Sequence, residues 1–578
     1  MKMNMRFLVA LIALLLSISA CGKKNVDDMV IVAYVTSWTN EVPDPSTMTH
    51  INYAFGHVND TFNGVRIDNP DRLRMIVGLK SQNPSLKVML SVGGWGSGRF
   101  SEMAATTENR MAFAKDCKRV TEEFGLDGID IDWEYPTQSQ AKISSSPEDT
   151  KNFTLLMRDL RKVLGKKKLL TAATVSTADY IDFRSCVPYM DFVNVMAYDM
   201  GGQRGHHASL FPSEHAGYFT SSRAVEAHLK AGVPREKLVM GVPFYGKGRN
   251  DDEGVRMFRR SGRLPEGYQH LWDEKGRFPF VADAEGKFVW GYENARSLSE
   301  KCQFILDNHL RGGMYWDYAS DTPQGDERRT LYLSLLQNKK GTEAPRRVLV
   351  LAERGGLHEG FTATGLKWLE DNKERFNMEL TVLNSAKEIK EGEIQTYHLI
   401  LQLNYPPYAW SSEAKDDMQQ YIDRSQGGYI GFHHASLLGE FDGYPMWAWF
   451  SDFLGKIRYK NYIAETCDGT VQVEDKEHPV MKGVAGTFVL NEDEWYTYEQ
   501  NPRRYTHVLA HVDEASYTTK TNIKMGDHPV VWINPDKTAR NVYFQFGHSK
   551  QLFQSPDFIK MLENALHWTL RDDLISQD

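Results

Sequence analysis

Between Val30 and about Gln337 the chain carries eight short apolar runs, each followed by a stretch with the spacing of a loop and then a helix. The runs are VIVAYV, INYAF, KVMLSVGG, GIDIDWEY, LLTAATVS, FVNVMAYD, KLVMGVPFY and RGGMYWDY. A strand with one wet face alternates apolar and polar residues. These runs are apolar almost throughout, as a parallel strand covered on both faces must be. The intervening helical patterns include 109–124 and 150–164. Eight strand–helix units over about 300 residues predict a (β/α)8 TIM barrel. In that architecture the groups at the C-terminal ends of the strands meet at one mouth. Glu134, Tyr198, Asp199 and Trp316 all lie at or near such ends.

The fourth run continues into DGIDIDWEYP, residues 127–136, where Asp130, Asp132 and Glu134 alternate with Ile131 and Trp133. The period of two along a strand sends the three acids to one side and Ile129, Ile131 and Trp133 to the other. Carboxyls stacked on a buried face must be hydrogen-bonded, share a proton or be neutralised. A strand needed only for packing would carry Val or Leu there, so the arrangement points to catalysis. Asp127, at the strand entrance, is read as structural. Tyr34, Phe55 and Tyr245 sit on strands as candidate site walls, and Trp38 and Trp95 follow strands where they could lengthen a groove. Ser91, Gly93 and Gly94 are read as serving close backbone packing.

The segments SVGG (91–94), DGIDIDWEYP, MAYD (196–199), GVPFYGKG (241–248) and GGMYWDY (312–318) resemble, in order, the motifs of family 18 glycoside hydrolases. The resemblance implies a chitinase-like retaining hydrolase that cleaves β-1,4 bonds at N-acetylglucosamine, in chitin or chito-oligosaccharides. It also implies substrate-assisted catalysis, in which the 2-acetamido oxygen takes the place of a second carboxylate nucleophile. In that scheme Glu134 is the general acid and then base, and Asp132 orients the acetamido group. Asp130 shares a proton with Asp132, and Tyr198 hydrogen-bonds the acetamido carbonyl. Asp199 supports the cluster, while Tyr34, Phe55, Tyr245 and Trp95 complete the substrate site. Trp316 forms the floor under the sugar, its ring matching the apolar face of a pyranose. Neither metal nor organic cofactor is implied.

Two other readings remain. One is an endo-β-N-acetylglucosaminidase acting on N-glycans. The other is a non-hydrolytic glycan-binding protein, a kind that typically lacks the acid this chain keeps at Glu134. Residues 247–290, between the seventh and eighth strands, read as an insertion forming one cleft wall, with a hairpin turning at Glu285-Gly286.

The barrel domain is assigned to residues 30–338 and a polar, Gly- and Pro-containing linker to 339–346. From Arg347 to Asp578 a second α/β pattern runs through VLVLA, LTVLN, HLILQLNY, GGYIGFHHAS, VVWINP and NVYFQFGHS, with helices near 364–376 and 412–423. GGYIGFHHA (427–435), DEWY (493–496), HPVVW (528–532) and FGHS (546–549) resemble the trehalose-utilisation (ThuA-like) family. That resemblance implies a flavodoxin-like, class I glutamine-amidotransferase-like α/β domain. The amidotransferase nucleophile is a Cys at the strand-to-helix turn, where this chain has Gly431-Phe432-His433-His434, so glutamine hydrolysis by a thiol is not expected. His358, His433, Glu494, His528 and His548 are candidates to converge at the C-terminal edge of the sheet, where such folds bind ligands. A carbohydrate site and a His/Glu metal site are both open, and the spacing matches no recognised metal signature.

At the N-terminus, Lys2 and Arg6 precede FLVALIALLL and then Ser17-Ile18-Ser19-Ala20-Cys21. This is the pattern of a secretory signal, too short for a comfortable membrane span. Ile18 to Cys21 resembles a bacterial lipobox, implying a signal peptide over 1–20, lipid attachment at Cys21 and a tether over 21–29. The expected location is that of an exported, membrane-anchored lipoprotein, periplasmic or at the cell surface. A net charge of −8 gives no support for a nucleic-acid partner. Five irregularly spaced cysteines argue against a disulfide scaffold.

Overall fold

The computed structural model describes residues 29–201, 205–249, 251–256, 264–336, 344–441, 443–462, 466–517 and 523–570. The signal peptide, Cys21 and nearly all of the tether lie outside these residues, as do residues 337–343 at the expected linker.

The eight runs form eight parallel strands: β1 (Val30–Thr36), β2 (His50–Val58), β3 (Lys87–Gly93), β4 (Gly128–Asp132), β5 (Leu169–Val175), β6 (Phe192–Met196), β7 (Leu238–Pro243) and β8 (Gly312–Trp316). Each pairs in parallel with its sequence neighbour, and β1 pairs with both β8 and β2, which closes the barrel. Two apolar layers result. Ile31, Ala33, Ile51, Leu90, Ile129, Ile131 and Trp133 face outward into the core shared with the helices. Val30, Val32, Tyr34, Ala54, Phe55, Phe192, Val239 and Met314 fill the interior. The helices follow from local signals. Thr107–Glu123 begins where the Thr106 side chain accepts from the Asn109 N–H. Asp149–Leu164 ends at Gly165, which has φ +74° and so avoids the Cβ clash of that conformation.

At the barrel mouth backbone runs very close to backbone. Gly93 has φ +132°, and a Cβ there would lie 1.9 Å from the Asp132 carbonyl oxygen. A Cβ on Gly94 would meet the Phe55 ring at 2.7 Å. Close packing is thus what these two glycines provide. The Gly94 N–H donates to the Asp132 carbonyl at 2.9 Å, tying the SVGG turn to the end of β4.

The insertion between β7 and β8 is larger than one hairpin. Strands 269–273, 278–282 and 288–291 are joined by 247–248 in a four-stranded antiparallel sheet. Its tight turn is where expected: Asp283 Oδ1 accepts from the backbone N–H groups of Glu285 and Lys287, and Gly286 has φ +76°.

The second domain contains β9 (Arg346–Ala352), β10 (Met378–Leu383), β11 (Leu399–Leu403), β12 (Gly428–Phe432), β13 (Cys467–Val473), β14 (Thr487–Asp493), β15 (His507–Asp513), β16 (Pro529–Ile533) and β17 (Asn541–Phe544). Its sheet order is β10-β9-β11-β12-β17-β16-β15-β13-β14. The first five strands are parallel in the 2-1-3-4-5 order of flavodoxin-like folds. The remaining four continue it antiparallel, so the sheet is mixed. Strands β13, β14 and β15 were not expected from sequence, because each interleaves solvated polar and buried apolar residues instead of forming a continuous apolar run. The domains touch: Gln324 Nε2 donates to the carbonyls of Tyr397 and Gln426 at 3.1 and 3.0 Å, and His398 Nε2 lies 2.7 Å from Asp326 Oδ1. Among the described residues no helix is long and apolar enough to cross a membrane.

Gly93→Ala forces a side chain into the Asp132 carbonyl at a φ disfavoured for L-residues, so it is expected to destabilise the barrel by about 2 kcal/mol or more. Thermal denaturation followed by circular dichroism tests this, and an unchanged melting temperature would refute the packing argument.

Candidate active site

Asp130 and Asp132 project from β4 into the barrel interior, and Glu134 stands just past the strand end at the mouth. Asp130 is fully buried and four strands supply it with donors. Its Oδ2 accepts from Tyr34 Oη on β1 and Ser91 Oγ on β3, both at 2.8 Å. Its Oδ1 accepts from Thr171 Oγ1 on β5 at 2.6 Å and Asn194 Nδ2 on β6 at 3.2 Å. Ser91 and Thr171 are the residues paired in register with Asp130 on either side. Ser91 is therefore a direct partner of the acid, which corrects the expectation that it serves backbone packing alone.

Burial raises the Asp130 carboxyl above its ordinary range, and its four donors work against that rise. Asp132 has no comparable set of donors, and its buried Oδ1 has no hydrogen-bond partner. Burial, then the neighbouring Glu134 and Asp130 charges, push it well above the usual carboxylate range. Asp132 is thus the member of the pair whose charged form has the less support from its surroundings. The oxygens of Asp130 are taken up by neutral donors, so the two aspartates are linked in this conformation by charge rather than by the expected proton shared between them. Glu134 is pushed up to about 7, first by burial and also by the charge of Asp199, against a hydrogen bond from Tyr135.

The cleft above these acids has a volume of about 690 Å³, and the expected residues Tyr34, Phe55, Trp95, Asp132, Glu134, Tyr198, Asp199, Tyr245 and Trp316 all line it. Trp316 at the end of β8 stacks on Phe55, with centroids 5.7 Å apart and planes 21° from parallel, and lies 5.6 Å from Tyr34. Trp38 and Trp95, 63% and 64% exposed, stand at the rim with their ring faces available to a ligand. Asp127 stays outside the site: it accepts from the Val88 N–H and pairs with Lys80 at the strand entrance.

Asp199 is held by more contacts than its motif suggested. Its Oδ1 accepts from Tyr245 Oη at 2.8 Å and Lys247 Nζ at 3.0 Å, with His207 Nδ1 at 3.3 Å. Burial raises its carboxyl, but these partners outweigh burial and hold it well below the usual range. Lys247, His207, Tyr135 and Met196 are site residues that sequence reasoning missed. Lys247 lies within the GVPFYGKG segment, but only the insertion sheet turns it back over the mouth.

In the second domain His358, His433, Glu494 and His548 converge after the ends of β9, β12, β14 and β17, with one ligand atom of each within 4.8 Å of all the others. His528 does not join them. Its Nδ1 is 2.9 Å from Glu514 Oε1, and its Nε2 is 2.9 Å from both the Tyr496 carbonyl and Gln545 Nε2, so both ring nitrogens are taken up elsewhere. His434 and Glu353, which sequence reasoning did not select, flank the cluster with His434 Nδ1 2.7 Å from Glu353 Oε2. Burial pushes His433 down to about 3. Burial raises Glu494, but contacts with three imidazoles dominate and hold it well below the carboxylate range.

Residues 30–321 match the model of glycosyl hydrolases family 18, and residues 347–569 match that of the trehalose utilisation (ThuA) family. Chitinase A1 of Niallia circulans is 29% identical over 421 residues, covering 55% of this chain and 59% of its own length. Probable chitinase 2 of Drosophila melanogaster is 29% identical over 356 residues, covering 51% and 72%. A solved structure of a family 18 N-acetylglucosaminidase from Paenibacillus barengoltzii is 31% identical, with a TM-score of 0.48, covering 53% of this chain and 99% of that one. The chain thus spans 59% of the first relative's length, less than two thirds of it.

For an acid that must donate a proton, rate is lost as pH rises through its pKa, so the alkaline limb of kcat/KM is expected near pH 7. Asp199→Asn removes a negative charge that disfavours ionised Glu134, and should move that limb to lower pH. A pH–rate profile on a chromogenic chitobioside reads both effects; a limb that stays put or moves up in the variant would refute the coupling.

Proposed function

This chain belongs to the family 18 glycosyl hydrolases, and we propose that its barrel cleaves β-1,4 bonds at N-acetylglucosamine in chitin or chito-oligosaccharides by substrate-assisted retention. The arrangement of carboxyls in the cleft carries this reading. A double displacement through an enzyme nucleophile needs a free second carboxylate about 5–5.5 Å from the acid, across the sugar ring. Among the described residues the cleft carboxyls are Asp132, Glu134 and Asp199. Asp132 rises from the same strand and wall as Glu134, and Asp199 is engaged by Lys247 and Tyr245. The acetamido oxygen of the substrate fills the vacant role.

In the first step Glu134 gives its proton to the glycosidic oxygen, and the acetamido oxygen bonds to the anomeric carbon as the leaving sugar departs. Asp132, whose Oδ1 has no protein partner, accepts the acetamido N–H and supports the positive charge of the oxazolinium ion. Tyr198 Oη donates to the acetamido oxygen, and Trp316 carries the sugar ring on its face. In the second step ionised Glu134 takes a proton from water as the water oxygen attacks the anomeric carbon and the bond from that carbon to the acetamido oxygen breaks, which regenerates the acetamido group and restores the starting protonation state.

Glu134→Gln is expected to lower hydrolysis of chito-oligosaccharides by about 10²–10⁴-fold while keeping oligosaccharide binding. Mass spectrometry of products and calorimetry of binding measure the two effects, and turnover close to wild type would overturn the assignment. Wild-type protein that released glycans from glycoproteins but left chitin oligomers intact would favour the endo-β-N-acetylglucosaminidase. Cleavage of neither would favour a binding protein.

The same proposal places the chain on a bacterial membrane as an exported lipoprotein, on the strength of the 1–21 sequence alone. Cys21→Ala should shift the protein from the membrane pellet to the soluble fraction. Equal retention in the pellet would refute lipid anchoring.

A further inference from the structure

The barrel chemistry makes no use of the polar cluster in the second domain, whose members come from four separate loops. Glu494 Oε2 lies 3.1 Å from His433 Nε2, 3.5 Å from His548 Nδ1 and 3.9 Å from His358 Nε2. The last two nitrogens are 3.0 Å apart. A tetrahedral ion with nitrogen and oxygen ligands at about 2.0–2.2 Å places its ligand atoms about 3.3–3.5 Å from one another. The four separations above, 3.0–3.9 Å, bracket that spacing, and the other two are within 4.8 Å.

The hydrogen bonds around the cluster support this reading. His433 Nδ1 is 2.8 Å from the Gln545 carbonyl oxygen, which can only accept, so Nδ1 carries the ring hydrogen. In the neutral ring, Nε2 then turns a lone pair toward a carboxylate oxygen at 3.1 Å, a repulsive contact that a cation between the two would reverse. A metal-bound imidazole commonly has its other nitrogen donating to a backbone carbonyl in this way. The His548 loop is fixed from behind: Asp493 accepts from the backbone N–H groups of Gly547, His548 and Ser549 at 2.8–3.2 Å. His433 adopts φ +41°, a left-handed conformation that is strained for a non-glycine residue.

We propose that His358, His433, Glu494 and His548 bind one divalent transition-metal ion of the zinc class, a site independent of the barrel and of its proposed reaction. Three neutral imidazoles and one carboxylate suit zinc over calcium or magnesium, which take mainly oxygen ligands. His358 and His548 keep side-chain exposures of 10% and 16%, so an ion can reach the cluster from solvent. The Glu353–His434 pair stands beside His358, with Glu353 Oε2 3.9 Å from His358 Nδ1.

The test uses the full chain, stripped with chelator, desalted and titrated with Zn²⁺ by calorimetry, with Co²⁺ as a spectroscopic probe. The expected results are one Zn²⁺ per chain and the visible absorption of four-coordinate Co²⁺. Glu494→Gln and His548→Ala should each weaken binding by more than the about 10–100-fold typical of losing an outer-shell partner. His548→Ala removes a partly exposed side chain, and circular dichroism verifies its fold. His511→Ala, at an exposed His–Glu pair elsewhere on the domain, should bind as wild type. Stripped wild type that takes up neither ion stoichiometrically overturns the site. So does a folded His548→Ala variant that binds as wild type, or loss of binding in His511→Ala.

Discussion

The buried carboxylate of Asp130 holds the catalytic half of the barrel together. It receives hydrogen bonds from β1, β3, β5 and β6 at one point in the interior. An ion without partners there would cost several kcal/mol, whereas hydrogen bonds to a charged group contribute about 1.5–3 kcal/mol each. Those donors exist only when the strands sit in a single register. Asp130 therefore enforces that register and, through β4, sets where Asp132 and Glu134 stand. The relative register of these strands and the position of Glu134 at the mouth depend on this contact.

From that anchor four carboxyls acquire four different characters. Asp130 is satisfied by neutral donors. Asp132 has none to offset burial, which raises its carboxyl well above the usual range. Glu134, at the edge of the buried region, is poised near neutrality. Asp199 is held as an anion by Lys247 and Tyr245 and still raises Glu134 through space. One functional group thus takes four different characters, and its environment separates them. The second domain repeats the placement with other chemistry. Its imidazoles also lie past the C-terminal ends of parallel strands, where side chains from several loops meet.

Much of this was legible in the chain. The eight continuous apolar runs correspond to eight strands because a covered parallel strand leaves no face for polar residues. The alternation in GIDIDWE separated the acids from Ile129, Ile131 and Trp133 because strand geometry has a period of two. Strands β13, β14 and β15 were missed because they are partly solvated and carry polar residues between their apolar ones, so they lack the continuous apolar runs that marked the other strands. His528 was grouped with the other imidazoles on motif alone, and its partners Glu514, Tyr496 and Gln545 are distant in sequence.

By itself the sequence determined the layering of both domains, the eight-strand order and the placing of Asp130, Asp132 and Glu134 on one side of β4, since each depends on local periodicity or a contiguous motif. Tertiary structure alone decided that Ser91, Thr171, Asn194 and Tyr34 share one carboxylate and that Lys247 reaches Asp199. It also decided that His358, His433, Glu494 and His548 meet without His528. Those facts depend on loop paths and register between residues tens to hundreds of positions apart. No local pattern encodes such distances, and only the closed barrel and the packed sheet set them.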